Sequence, residues 1–285
     1  MSVSTYRKIP FTTRISILFG GFKSQFGWFF LGFGLVFFWA FAMNSDFSFM
    51  QFKGKIITTE GIAIRSQDTD ASEGDLQVYE NYFRFTADDG LEYEGISYAT
   101  GQRIITGDTL TIEYPEGKPQ YARILGMRMQ TFSTVAVWTV LFPLVGLVFI
   151  LMGTRRSLRA LRLLKYGILT KGVLVSKKRT NTKINGRVVF KMTFQFQDEE
   201  GSEYTVKERT TMPYNLQDQK EERLLYLKSR PSNAMMLDAL PASATINRYG
   251  YVEAVPIINV IILLLVPIAT IIGHGIYVLN HYFSG

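Results

Sequence analysis

Few residues in this chain have the type and spacing to do chemistry. His274 and His281 lie seven apart, so on one face of a helix, with no thiol or carboxylate beside them to complete a metal site. The run DTDASEGD, Asp68 to Asp75, has the acidity of a calcium loop. Counted from Asp68, however, position six is Glu73 rather than glycine and position twelve is Tyr79 rather than glutamate; a solvated loop is expected. Asp88 and Asp89 precede Gly90 in a turn, where paired carboxylates stay exposed. The chain has no cysteine, which removes disulfides and thiolate chemistry, and no serine-hydrolase elbow, P-loop, dinucleotide fingerprint or zincin motif occurs. The densest charged cluster is basic: Arg155, Arg156, Arg159, Arg162 and Lys165, with no acid between residues 154 and 171. No catalytic, cofactor-binding or metal-binding residue is expected.

The elements around that cluster explain it. Apolar residues collect in three blocks, Gln25–Met43, Phe132–Gly153 and Val255–Leu279, the first two without a charge. About 20 apolar residues cross a hydrocarbon layer of roughly 30 Å, so each block reads as a membrane span. The first is longer than the apolar core of a signal peptide, and is expected to stay as an anchor. Pro143 sits inside the second block, and a re-entrant hairpin is the alternative there.

The chain carries a net charge of +7, and the excess sits beside the spans rather than on one face. Arg7, Lys8, Arg14 and Lys23 precede the first span; the arginine cluster follows the second. This is the positive-inside pattern and argues against a nucleic-acid partner. Both clusters agree on a cytoplasmic N-terminus and an extracytoplasmic C-terminus. The expected organisation is an amphipathic segment at 1–24, spans at 25–43, 132–153 and 255–279, an extracytoplasmic β domain at 44–131, a basic helix and cytoplasmic β domain at 154–254, and a tail at 280–285. Arg155, Arg156, Arg159, Arg162 and Lys165 would then meet lipid headgroups or fix the topology. Phe11, Ile15, Leu18 and Phe22 form the stripe of an interfacial helix. Ala269 and Gly273 have the spacing that lets membrane helices pack. Tyr277, Tyr282 and Phe283 read as an aromatic belt.

The two regions between the spans repeat each other. Gly61, Phe83, Phe85, Gly90 and Tyr93 recur 111 residues later as Gly172, Phe194, Phe196, Gly201 and Tyr204. Tyr114, Pro119, Ala122 and Leu125 recur 112 residues later as Tyr226, Pro231, Ala234 and Leu237. One insertion therefore separates the halves of the second copy. Alternating FRF and FKMTFQF predict half-buried strands, and ADDG and DEEG predict hairpin turns. Pro119 and Pro231 are expected to end the pairing, since proline cannot donate to a ladder. The polar segment TTMPYNLQDQKEE, Thr210 to Glu222, adds one helical turn to the second copy. The predicted fold class is three membrane helices plus two small antiparallel β domains, each a sandwich or partly open barrel.

A glycine in the first strand, an aromatic strand ending in an acidic turn, a returning strand with tyrosine and a closing Y-x-x-x-x-P-x-x-A resemble a bacterial integral membrane family built on a domain of unknown function. The resemblance covers residues 59–126 and 170–238. It implies no reaction; a bacterial inner-membrane location and no cofactor are expected. The expected function is binding or assembly, with membrane lipids and a membrane or envelope protein, or a second copy of the chain, as partners. An immunity protein against a toxin and an enzyme using the acidic face of the first copy are the alternatives.

Overall fold

A computed structural model describes residues 6–217 and 220–283. Residues 1–5 of the expected N-terminal segment, Asp218 and Gln219 of the polar insertion, Ser284 and Gly285 of the tail, and the side chain of Tyr282 lie outside the described residues. The α-helices are α1 (Phe11–Phe19), α2 (Phe22–Phe37), α3 (Leu141–Tyr166) and α4 (Ile257–Tyr282). Among the described residues, three helical stretches, Phe22–Ala42, Thr134–Tyr166 and Ile257–His281, are long and apolar enough to cross a membrane. The strands form two five-stranded antiparallel sheets. The chain divides into two compact units, residues 33–143 and residues 1–32 with 144–285.

In unit 33–143 the strands are β1 (Ile56–Glu73), β2 (Leu76–Thr86), β3 (Glu92–Thr100), β4 (Thr109–Pro115) and β5 (Arg123–Ile124), in the order β3-β2-β1-β4-β5. The far edge curls back onto β3: the Tyr98 N–H donates to Arg128 O at 2.7 Å and the Arg128 N–H to Tyr98 O at 2.9 Å. The result is a nearly closed barrel filled by Phe83, Phe85, Ile112, Tyr114 and Ile124. Burying such side chains is worth about 1.5–3 kcal/mol each. The acidic run is not a loop. Asp68 to Glu73 is the end of β1, paired with β2 and interrupted by an irregularity between Asp68 and Ser72, and Gly74 and Asp75 form the turn into β2. Thr69 supplies the reason: its hydroxyl donates to Val78 O at 2.8 Å and accepts the Ala71 N–H, so the extra residues are satisfied within the hairpin.

Also in this unit, α3 is entered through a 3-10 segment, Thr134–Val140. Pro143 is only the third residue of α3, where no intrahelical N–H is required. The helical stretch Thr134–Tyr166 is therefore continuous, and the re-entrant alternative is corrected. Gly34 is obligatory here, because a Cβ would run into the Pro143 backbone nitrogen.

Unit 1–32 with 144–285 contains β6 (Ile168–Ile184), β7 (Arg187–Gln197), β8 (Glu203–Thr210), β9 (Glu222–Leu227) and β10 (Arg230–Met236), in the order β10-β9-β6-β7-β8. Read from its own first strand, this is the same order as in the first sheet. The register repeats as well. Ile62 opposite Arg84 becomes Val173 opposite Gln195, and Phe85 opposite Tyr93 becomes Phe196 opposite Tyr204. Both irregularities of β1 recur in β6, after Ala63 and Leu174 and after Asp68 and Arg179. Beyond the insertion, Ile112 opposite Ile124 becomes Leu224 opposite Met236. The inserted polar segment contains one 3-10 turn, Pro213–Leu216.

The prolines do not end the sheets, and that expectation is corrected. Pro119 opens a 3-10 turn and β5 follows it; Pro231 lies within β10, at the irregularity between Arg230 and Ala234. A proline at such a point forfeits no ladder bond.

This unit has a second core outside its barrel. Leu225, Leu227, Met235 and Leu237 pack on Ala160, Leu163 and Leu164 of α3 and Ile17 of α1. Arg7 caps the end of α3 by donating to Gly167 O, just past the helix, at 2.6 Å and to Leu164 O of its last turn at 3.4 Å. Between α2 and α3, a Cβ on Gly27 would lie 2.7 Å from Ile150 N, and one on Gly153 would lie 2.9 Å from Ser24 N. The helices thus touch backbone to backbone. In α4, Pro267 leaves Leu263 O without its intrahelical donor, and Gln25 supplies one at 2.9 Å.

Candidate functional site

The residues shared by the two copies hold the scaffold. Tyr114 is fully buried, and its hydroxyl accepts the Asp88 N–H at 3.0 Å, tying the hairpin turn to the barrel. Tyr226 accepts the Glu199 N–H at 3.2 Å in the same way. Burial pushes both phenols above their ordinary value. Gly61 and Gly172 sit where a Cβ would meet the facing strand, 2.8 Å from Arg84 O and 3.1 Å from Gln195 O. Gly90 and Gly201 both have φ of +79°, closing equivalent turns. Phe83, Phe85, Phe194 and Phe196 fill the two barrels, Tyr93 stacks on Phe85, Tyr204 lies tilted against Phe196, and Pro119 and Pro231 occupy the closing segments.

The acidic candidates are separately engaged. Asp68 pairs with Arg103, Asp88 accepts the Tyr114 hydroxyl, and Asp89 accepts the Tyr93 hydroxyl at 2.8 Å. Glu73 is held by Arg128 at 2.7 Å and by Thr100 at 2.6 Å. Burial pushes its carboxyl up, but the bonds from Thr100, Arg128 and the Ser133 N–H, with the Arg128 charge, outweigh it and hold it below the usual range. No group of three or more metal-binding side chains gathers among the described residues. His274 contacts Gly32 O at 3.0 Å within the helices, while His281 stacks on Tyr277, so the two histidines do not converge.

The basic cluster does assemble into a site, though not as a uniform row of headgroup anchors. Arg156 donates to Ala239 O at 3.0 Å, and Arg159 donates to Asn233 Oδ1 at 2.6 Å and Ala234 O at 2.8 Å. These two turn toward the second barrel. Lys165 lies over the rings of Tyr6 and Tyr166. Arg155 and Arg162 are exposed, without an ion pair among the described residues.

Lys23, Arg155, Arg156, Arg159 and Lys207 surround a cleft of about 570 Å³ beside Glu208. Glu208 is buried, 3.5 Å from Arg156. Burial raises its carboxyl above the usual range, partly opposed by the charges of Arg156 and Arg159 and by a hydrogen bond from the Met236 N–H. At the equivalent position of the first copy, Ser97 accepts the Ile124 N–H at 2.9 Å. The second copy therefore keeps the bond that joins its two edge strands but makes the acceptor a carboxylate, which also reaches the arginines. Lys207 and Glu208 were not expected in this site. An acid standing where the first copy has serine was their signal in the sequence.

Ala269 and Gly273 face outward, and a Cβ on Gly273 would have nothing within 4 Å. They form no helix seam within this unit among the described residues. The close approaches are made by Gly27, Gly146 and Gly153, and by Gly32 against Thr270.

No family model matches this chain, and no curated protein matches it. Among solved structures, a replication protein A heterotrimer bound to ssDNA aligns at 11% identity, over 65% of this chain and 49% of that chain, with a TM-score of 0.16. The chain thus spans about half the length of the structure it matches, and similarity at that score establishes no shared fold.

Proposed function

We propose that this chain is a non-catalytic binding and assembly protein of a bacterial inner membrane, of the family its repeated motif resembles. It crosses three times, with its N-terminus cytoplasmic. Residues 44–131 form an extracytoplasmic barrel, residues 154–254 a basic helix and cytoplasmic barrel, and 280–285 an extracytoplasmic tail. Three apolar helices and the flanking basic clusters support this reading. Each barrel engages a protein partner or an envelope ligand.

One observation carries the proposal: a single scaffold, kept in register, presents two different outer faces. In unit 33–143 that exterior exposes Ile62, Leu91 and Ile105, at 59%, 60% and 72% of their surface. Isolated apolar side chains are ordinary on a surface, but Ile62 and its equivalent Val173 stand at the same outward register position and both stay uncovered. The test is capture of the full chain in mild detergent with mass spectrometry, using wild type and an Ile62→Asp/Ile105→Asp variant whose thermal midpoint is unchanged. A protein recovered with wild type and lost from the variant supports the proposal. Recovery of the same proteins with both, or with an unrelated membrane protein, contradicts it.

A further inference from the structure

We propose that the cleft among Lys23, Arg155, Arg156, Arg159 and Lys207 is a binding site for a phosphate-bearing anion, the headgroup of an acidic phospholipid or free phosphate. The inference rests on the membrane reading above for its depth, and on no partner protein. Five cations surround one carboxylate in a cleft of about 570 Å³, within the range of about 300–1,000 Å³ typical of small-ligand sites. Some exposed cations elsewhere are neutralised, as in Lys55–Glu116, Lys171–Glu221 and Lys228–Glu199. Here Lys23, Arg155 and Lys207 form no ion pair among the described residues, although all three are exposed and line one cavity. Such an arrangement repels itself until an anion enters.

The two remaining cations are built in. The bonds of Arg159 to Asn233 and Ala234, and of Arg156 to Ala239 with Glu208 beside it, fix both guanidiniums while leaving other N–H groups to donate. A guanidinium so oriented meets phosphate with little ordering cost. Depth is set by the sequence: Lys23 is the last charge before the apolar stretch of α2, and Arg155 is the first after that of α3. Both therefore lie where a spanning helix enters the headgroup layer. The exposed rings of Phe11 and Phe22 lie on α1 and at the start of α2, on the same side of that boundary.

The test is native mass spectrometry of the full chain in mild detergent, titrated separately with phosphatidylglycerol, phosphatidylcholine and inorganic phosphate. Wild type should bind phosphatidylglycerol at least tenfold more tightly than phosphatidylcholine. Each basic residue near an anionic surface is worth about fivefold, so the variant Lys23→Gln/Arg155→Gln/Lys207→Gln should lose about a hundredfold. The side chains of these three make no hydrogen bond among the described residues, and an unchanged melting temperature will show the variant folded. Arg162→Gln, on the same helix outside the cleft, should change affinity less than twofold. Competition by inorganic phosphate would identify free phosphate as a source; binding of phosphatidylglycerol without it would identify the lipid. Equal binding of the two lipids with no phosphate binding, an unchanged triple variant, or an equal loss in a control with three exposed cations distant from the cleft changed to Gln would overturn the proposal.

Discussion

Glu113 and Arg123 face each other across β4 and β5; Leu225 and Met235 face each other at the same register of β9 and β10. In the first unit the pair is an ion pair of 2.8 Å, with Arg123 also on Ser48 and over the ring of Phe52. In the second it is apolar, buried against Leu163 and Leu164. Inside the barrels the copies agree, Phe for Phe and Tyr for Tyr. Outside they differ according to what covers them. The barrel is therefore a carrier, and its exterior is specified by its neighbour. Even one interior position follows the neighbour: Ser97 accepts the bond in the first copy, and Glu208 takes its place where α3 brings arginines.

The comparison breaks most severely if charge is placed under α3. Leu225→Glu should cost about 3 kcal/mol or more, since a carboxylate there is buried without a partner; thermal unfolding of the full chain in detergent will show it. The reverse exchange, Glu113→Leu with Arg123→Met, should cost less than about 1 kcal/mol, because replacing both members of a largely buried ion pair by apolar side chains leaves no unpaired charge. Equal losses from the two would sink the distinction.

The glycines sharpen the agreement. Gly61→Ala should destabilise by about 2 kcal/mol and Gly172→Ala by less. The first Cβ meets Ile112 at 2.6 Å and a carbonyl at 2.8 Å, whereas the second meets the flexible end of Leu224 at 2.8 Å and its nearest carbonyl at 3.1 Å. Tyr114→Phe and Tyr226→Phe should each cost about 1 kcal/mol, the first slightly more because the Tyr114 hydroxyl also donates to the Asp88 carboxylate at 3.2 Å. A much larger loss in one copy would show that the tie is not equivalent.

The smallest effects should be seen with pH, and with opposite signs. Glu73 is held below its ordinary value of 4.5, so its contribution is present above that value and fades as pH falls through its lower folded pKa. Glu208 is raised above 4.5, so the fold loses stability as pH rises from that value through its higher folded pKa. Melting curves against pH should therefore flatten on the acid side in Glu73→Gln and above 4.5 in Glu208→Gln.

The repeat was legible because each matched residue has one job that few residue types perform: glycine where a strand crosses closely, tyrosine where a turn must be tied, phenylalanine inside. The fifth strands were hidden by Pro119 and Pro231, since a sequence does not show that a proline falls where the ladder is already irregular. The helix seam was hidden in apolar composition. Gly27 and Gly34, and Gly146 and Gly153, are each seven apart, a heptad spacing that marks a packed face in membrane helices. Ala269 and Gly273 have a familiar spacing, yet they face outward. The cleft needed Lys207 and Glu208, about fifty residues beyond the arginines, and only the register joins them.

The central claim is that one β unit works on both sides of one membrane. The chain lacks cysteine, so an introduced thiol is a unique reporter. Asp89 and Glu200 are exposed at the same position of the repeated hairpin turn. Asp89→Cys and Glu200→Cys chains in spheroplasts, treated with a membrane-impermeant maleimide, test the claim directly. The account predicts labelling of Asp89→Cys at once and of Glu200→Cys only after the membrane is opened; labelling of both, or of Glu200→Cys alone, in sealed spheroplasts would contradict it.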